Sequence, residues 1–357
     1  MRKKKALFLT CLLAVSFGLT ALVAFLADRS GTSGRTGAGE DGLLVVTSFY
    51  PVQLLAESVA QGVDGVEVVN LTENHGGCLH DYTITTKDMR LLSEAELLLV
   101  NGGGMELFLE KVAKEHTGLV ITDTTAGYEF LEGVAHNHAH SHDEEPEGDH
   151  EEHDHTEEEQ EVHAGEHDAD VKDAHDEHAV NAHVWLDIDG YLYQLSKVEA
   201  AFVAEDPANA LQYRANAERC REELLALKES FAQAKTQLAG NETVVFHEGF
   251  VYLFHMVGIE TVHCIAMDGD TQIASGEAAE VVEECNIHGI DRMFAEEEYA
   301  KSVRDTFAGD FNGSVVVLDA LTGKAVTEVE TVGTGIAVYC NRMKANLDRI
   351  MQAYGLR

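Results

Sequence analysis

The chain has 357 residues, with 25 Lys or Arg against 63 Asp or Glu and a formal net charge of −38. A surface this acidic repels nucleic acid and attracts cations, so nucleic acid is excluded as a partner. The apolar fraction of 45% is ordinary, and the length suits two domains folded around real cores.

At the N-terminus Arg2, Lys3, Lys4 and Lys5 precede an uncharged stretch from Ala6 to Ala27. That length is long for a signal-peptide core and suits a bilayer span. Residues 1–27 are therefore expected to be a signal or membrane anchor, and an uncleaved anchor fits better because no A-x-A pattern precedes Asp28. Its basic flank should stay inside and place the rest outside the membrane. Residues 28–42, rich in Gly and Ser, read as a flexible linker.

From Leu43 onward strand and helix alternate. Leu43–Thr47 reads as a buried strand. Pro51 opens a helix over Val52–Ala60. A strand follows at Val66–Leu71, a helix at Thr86–Ala95, a strand at Glu96–Val100 and a turn at Asn101–Gly104. A helix over Met105–His116 and a strand over Leu119–Thr122 complete the run. Such alternation predicts an α/β lobe with a mostly parallel sheet over residues 43–204.

That lobe is interrupted between His136 and His178. The window holds eleven His (His136, His138, His140, His142, His150, His153, His155, His163, His167, His175 and His178), eighteen Asp or Glu and one Lys. It has too little aliphatic bulk to offset chain entropy, so it is expected to be disordered. Imidazole and carboxylate together make it a metal-collecting segment, an auxiliary to any tight site.

Order returns at Asn181–Leu186 and a helix at Tyr191–Ala204. Asp206 and Pro207 then start a helix that meets no Gly or Pro until Gly240. Ala210, Tyr213, Ala217, Cys220, Leu224, Leu227, Phe231, Ala234 and Leu238 form one apolar seam along it. Residues 205–239 are thus a linking rod roughly 50 Å long at about 1.5 Å per residue. Residues 240–357 repeat the first pattern. Strands are expected at Thr243–Phe246, Gly258–Cys264, Ile290–Ala295 and Ser314–Asp319, and helices at Gly276–Cys285, Tyr299–Phe307 and Val338–Tyr354. The whole predicts two lobes, each with a mostly parallel sheet flanked by helices, joined by one long rigid backbone helix. The cysteines show no metal-binding spacing, and a Cys264–Cys285 disulfide is left open.

Outside the His-rich window four residues form a candidate metal set. His80 and His183 lie on loops of the first lobe, and His247 and Asp319 lie at the ends of strands in the second. Ligands bind at the carboxyl ends of strands in open α/β sheets, so both lobes offer donors to one cleft. Three imidazoles and a carboxylate suit tetrahedral zinc. Glu248, beside His247, either orients that imidazole or faces solvent. A zinc hydrolase is a weaker reading, because Val251 stands where an HExxH motif needs its second His.

These residues carry a resemblance. TSFYP (47–51), LHDY (79–82), NGGGME (101–106), HVWLD (183–187), DPANALQYRANA (206–217), VFHEGF (245–250), FAEEEY (294–299), LDAL (318–321) and NRMKANLDRI (341–350) are similar to segments of the metal-binding solute receptors of ABC importers, in their zinc-uptake branch. The resemblance implies two α/β lobes held by a rigid helix, Zn2+ in the cleft between them, and an ABC permease with its ATPase as partner. It maps the family's three nitrogen ligands onto His80, His183 and His247 and its carboxylate onto Asp319. The third position is usually Glu in the manganese branch, so His247 favours zinc over Mn2+. The family's Pro before the first His is Leu79 here, and Cys78 is a conceivable auxiliary thiolate. A monomeric, extracytoplasmic, non-enzymatic receptor is expected; a surface adhesin or metal buffer using the same site is the alternative.

Overall fold

The computed structural model describes residues 42–73, 77, 79, 82–133, 180–267, 272–323 and 335–356. His80, Cys78, the 1–27 segment, nearly all of the 28–42 linker and the 136–178 window lie outside the described residues. Among the described residues no helix is long and apolar enough to cross a membrane. Leu44–Val63 and Val68–Arg357 cluster as one compact unit. Leu43 and Asp64–Glu67 fall in a second, where the Leu43 N–H donates to Gly65 O at 3.0 Å.

The first sheet comprises β1 (Leu43–Thr47), β2 (Val66–Asn70), β3 (Leu97–Val100) and β4 (Val120–Asp123), in the order β2-β1-β3-β4. The second comprises β5 (Glu242–Phe246), β6 (Glu260–Cys264), β7 (Arg292–Glu296) and β8 (Ser314–Leu318), in the order β6-β5-β7-β8. The two sheets are parallel and share one topology, which confirms the repeat read from the sequence. Leu97, Leu98, Leu99 and Val100 are all buried, as a central parallel strand covered on both faces requires. Each sheet has a switch point, between β1 and β3 and between β5 and β7, where a crevice opens at the strands' carboxyl ends.

Nine helices are described: α1 (Tyr50–Val59), α2 (Thr86–Glu94), α3 (Leu109–Glu115), α4 (Ile188–Glu205), α5 (Ala210–Leu238), α6 (Phe250–Val257), α7 (Ser275–His288), α8 (Glu297–Phe307) and α9 (Ile336–Ala353). The rod is α5, 29 residues and so about 43 Å long. It buries Tyr213, Ala217, Cys220, Leu224, Leu227, Phe231, Ala234 and Leu238, the seam expected apart from Ala210. Each large side chain there contributes about 1.5–3 kcal/mol of transfer free energy. The seam packs against α1, α4, α6 and α9, which come from both halves of the sequence. Asn216 Nδ2 reaches Val59 O and Gln61 O at 2.8 Å each and so caps the end of α1.

Two local expectations are corrected, and one open question is answered. The rod begins at Ala210, because Pro207–Asn209 winds as a tighter 3-10 turn. Asp206 spends its carboxylate on Asn209 Nδ2 and Tyr213 OH, both at 2.7 Å, rather than on the helix amides. The helix expected from Met105 starts only at Leu109. Gly102, Gly103 and Gly104 all take positive φ (91°, 63° and 84°), and the Glu106 carboxylate accepts from the Asn101 and Gly102 N–H groups at 2.7 and 3.0 Å. That closes a loop where a helix would otherwise begin. No disulfide joins Cys264 to Cys285, so the pairing left open is not made.

Candidate metal centre

His183 follows Asn181 and Ala182 and opens the short 3-10 turn Val184–Leu186. Several contacts fix that strip. The Trp185 indole N–H donates to Ala320 O at 2.8 Å, and the Tyr339 hydroxyl donates to Trp185 O at 2.7 Å. Asp187 accepts from the Tyr128 hydroxyl at 2.8 Å and caps α4 at the Gly190 N–H. Burial raises the Asp187 carboxyl pKa above its ordinary value. The glycine loop belongs to the same scaffold: Asn101 Nδ2 donates to Ala182 O at 2.9 Å. A Cβ on Gly102 would collide with the Asp123 and Thr125 side chains, so only glycine fits there. Burial pushes the Glu106 carboxyl up to about 7, against the two backbone amides that favour its charged form.

The His183 ring is set by Asn181. Asn181 Nδ2 donates to Glu248 O at 2.9 Å, which turns Oδ1 toward His183. Oδ1 then accepts from the His183 backbone N–H at 3.1 Å and pairs with Nδ1 at 3.0 Å. The proton of the neutral ring therefore sits on Nδ1, and Nε2 is the basic nitrogen a metal can take. Glu248 is buried, with a carboxylate oxygen 3.8 Å from the same Nδ1. Its burial excludes the solvent-facing role expected as one alternative.

His247 leaves the end of β5, and its ring lies 4.9 Å, centroid to centroid, from that of His183. Both residues are 2% exposed. Two imidazoles bound through nitrogen to one tetrahedral zinc would have centroids about 5 Å apart. Gly249 is wedged between them: a Cβ there would lie 2.7 Å from Leu186 Cδ1, 2.9 Å from His247 Cε1 and 3.0 Å from His183 Cβ. The Gly249 N–H donates to His247 Nδ1 at 3.1 Å, so the neutral His247 ring carries its proton on Nε2. Ligation through Nε2 requires that proton to move to Nδ1 and the ring to turn off the Gly249 amide.

Asp319 lies just past the end of β8. Arg342 on α9 grips it as a fork, Nε to Oδ2 and Nη2 to Oδ1, both at 2.6 Å. Asn346 holds its backbone on both sides, and the Leu321 N–H also donates to Oδ1 at 2.8 Å. The carboxylate near His247 is Glu296, whose Oε2 is 3.7 Å from Nε2. Sequence reasoning missed Glu296 and Asn181. His80 lies outside the described residues. Leu79 is buried, and a Cβ on Gly77 would lie 3.9 Å from Glu298 Oε2, at the start of α8. Among the described residues no three His, Cys, Asp or Glu side chains are already gathered into a complete cation site.

Comparison with known proteins agrees with this architecture. The family model described as ZnuA, zinc-uptake complex component A, periplasmic, matches residues 45–353. The high-affinity zinc uptake system protein ZnuA of Bacillus subtilis is 25% identical over 331 residues, 92% of this chain and 93% of that protein. A zinc-binding protein AdcA of Streptococcus pyogenes is 24% identical over 330 residues, 92% of this chain but 58% of its own length. The crystal structure of Zn(II)-bound AdcA from Streptococcus pneumoniae superposes with a TM-score of 0.64 at 20% identity, covering 88% of this chain and 58% of that one. The chain thus spans a little over half the length of these AdcA proteins.

Proposed function

Because the chain belongs to the family of zinc-uptake complex component A, we propose that it is an extracytoplasmic receptor that captures Zn2+ between its two lobes and delivers it to an ABC permease and its ATPase. Zinc is cargo here, and the protein carries out no chemical step. The observation that carries the reading is the pair of buried imidazoles, His183 from the turn before α4 and His247 from the end of β5, brought ring to ring. His183 is already in the tautomer that exposes a basic Nε2 to a cation. His80 would supply the third nitrogen, giving the donor set that zinc prefers over manganese. Asp319, expected as the carboxylate donor, is tied to Arg342.

A rod packed against helices of both halves resists wide closure, so cargo release would depend on docking to the permease. The His-rich window would hold weaker ions near the mouth and raise their effective concentration. The described residues that flank it are joined: Glu132 and Val180 form an antiparallel bridge and the Asn181 N–H donates to Leu131 O at 3.0 Å.

The test is zinc titration against a competing chelator that keeps weak sites empty. His247→Ala should weaken the tight site at least a hundredfold, whereas deleting 138–178 should change it less than tenfold. The reverse ranking would reject the reading.

A further inference from the structure

We infer that Glu296 is the carboxylate that completes the zinc-binding set. This rests on the receptor reading above and names one of its donors. The topology makes the first argument. Phe246 pairs with Ala295 across β5 and β7, so His247 and Glu296 leave neighbouring strands at the same level, at the switch point of the second sheet. Asp319 leaves β8, one strand further out, since Glu296 pairs with Leu318. With strands about 4.8 Å apart, Glu296 starts one strand spacing from His247 and Asp319 starts two.

Geometry makes the second. Donors 2.0–2.2 Å from a tetrahedral zinc lie about 3.4 Å from one another. Before the ring turn that ligation requires, the Glu296 Oε2 to His247 Nε2 separation is 3.7 Å, within about 0.3 Å of that. The Thr322 hydroxyl donates to Oε1 at 3.3 Å, which aims the other oxygen at the imidazole. The Glu296 side chain is 14% exposed, enough to be reached by an ion yet shielded from bulk water. The hold on Asp319 makes the third. Asp319 has both oxygens in 2.6 Å contacts with a buried guanidinium. A cation that drew it away would have to break both of those short bonds.

The test uses the whole protein, titrated with zinc against a chelator and with cobalt(II) as an optical probe. Glu296→Gln keeps the shape and the Thr322 contact but removes the anionic donor. It should weaken zinc at least tenfold and shift the cobalt(II) visible bands, with the metal-free melting temperature close to wild type. Asp319→Asn should stay within threefold in affinity and leave the cobalt bands in place, although it lowers stability. Loss of affinity in Asp319→Asn with Glu296→Gln within threefold would overturn the assignment, as would equal losses in both. Wild-type affinity in both His183→Ala and His247→Ala would instead overturn the receptor reading, so the two failures are distinguishable.

Discussion

Asn181→Ala isolates the positioning of one metal-facing ring. Asn181 is fully buried and makes three hydrogen bonds through its side chain: to Glu248 O at 2.9 Å, from the His183 N–H at 3.1 Å and with His183 Nδ1 at 3.0 Å. At about 1 kcal/mol each, their loss should destabilise the fold by roughly 2–3 kcal/mol, with some relief if water enters. The binding effect is separate. Without the Oδ1 acceptor nothing fixes the proton on Nδ1, and the ring can rotate away from the direction that suits a cation. Removing a partner that orients a metal-ligating His typically weakens affinity 10–100-fold, about 1.4–2.8 kcal/mol. The assay is competitive zinc titration well below the melting temperature, with urea unfolding of the metal-free variant alongside. A variant destabilised as stated but binding zinc within twofold of wild type would refute the claim that Asn181 sets the tautomer.

Glu106 gives a pH prediction away from the donors. Its carboxyl is raised from 4.5 to about 7 by burial, so between those values the folded chain holds a proton the unfolded chain has lost. Stability should fall as pH rises through that window, by up to about 3 kcal/mol, and then level off above pH 7. Urea midpoints of the wild type and Glu106→Gln across pH 4.5–8 should differ in slope, and parallel curves would contradict the assignment. For His247, nitrogen-15 shifts of the ring should show the proton on Nε2 without metal, because the Gly249 amide occupies Nδ1, and on Nδ1 with zinc bound. An unchanged tautomer on loading would exclude ligation through Nε2.

Much of the fold was legible because its signals are local. Continuous apolar runs marked β1, β3 and β5, and the seam from Tyr213 to Leu238 marked the rod. The helix expected from Met105 was shortened by something periodicity does not carry, the reach of Glu106 back to the Asn101 and Gly102 amides. Two imidazoles of the proposed site were legible, since His183 and His247 follow strand or turn signals directly. The carboxylate proposed for it was not. Glu296, Glu297 and Glu298 are consecutive, and which one meets His247 is decided by the register of β7 on β5. The fate of Asp319 is set by Arg342, 23 residues downstream on another element. Asn181 looked like mere approach to HVWLD because its acceptor role depends on Glu248, 67 residues away.

The most direct measurement is anomalous diffraction at the zinc absorption edge from crystals of the protein loaded with one equivalent of zinc. A single strong peak within about 2.2 Å of both His183 Nε2 and His247 Nε2 is predicted. A peak bonded to neither imidazole, with those two rings still facing each other without an ion, would contradict it.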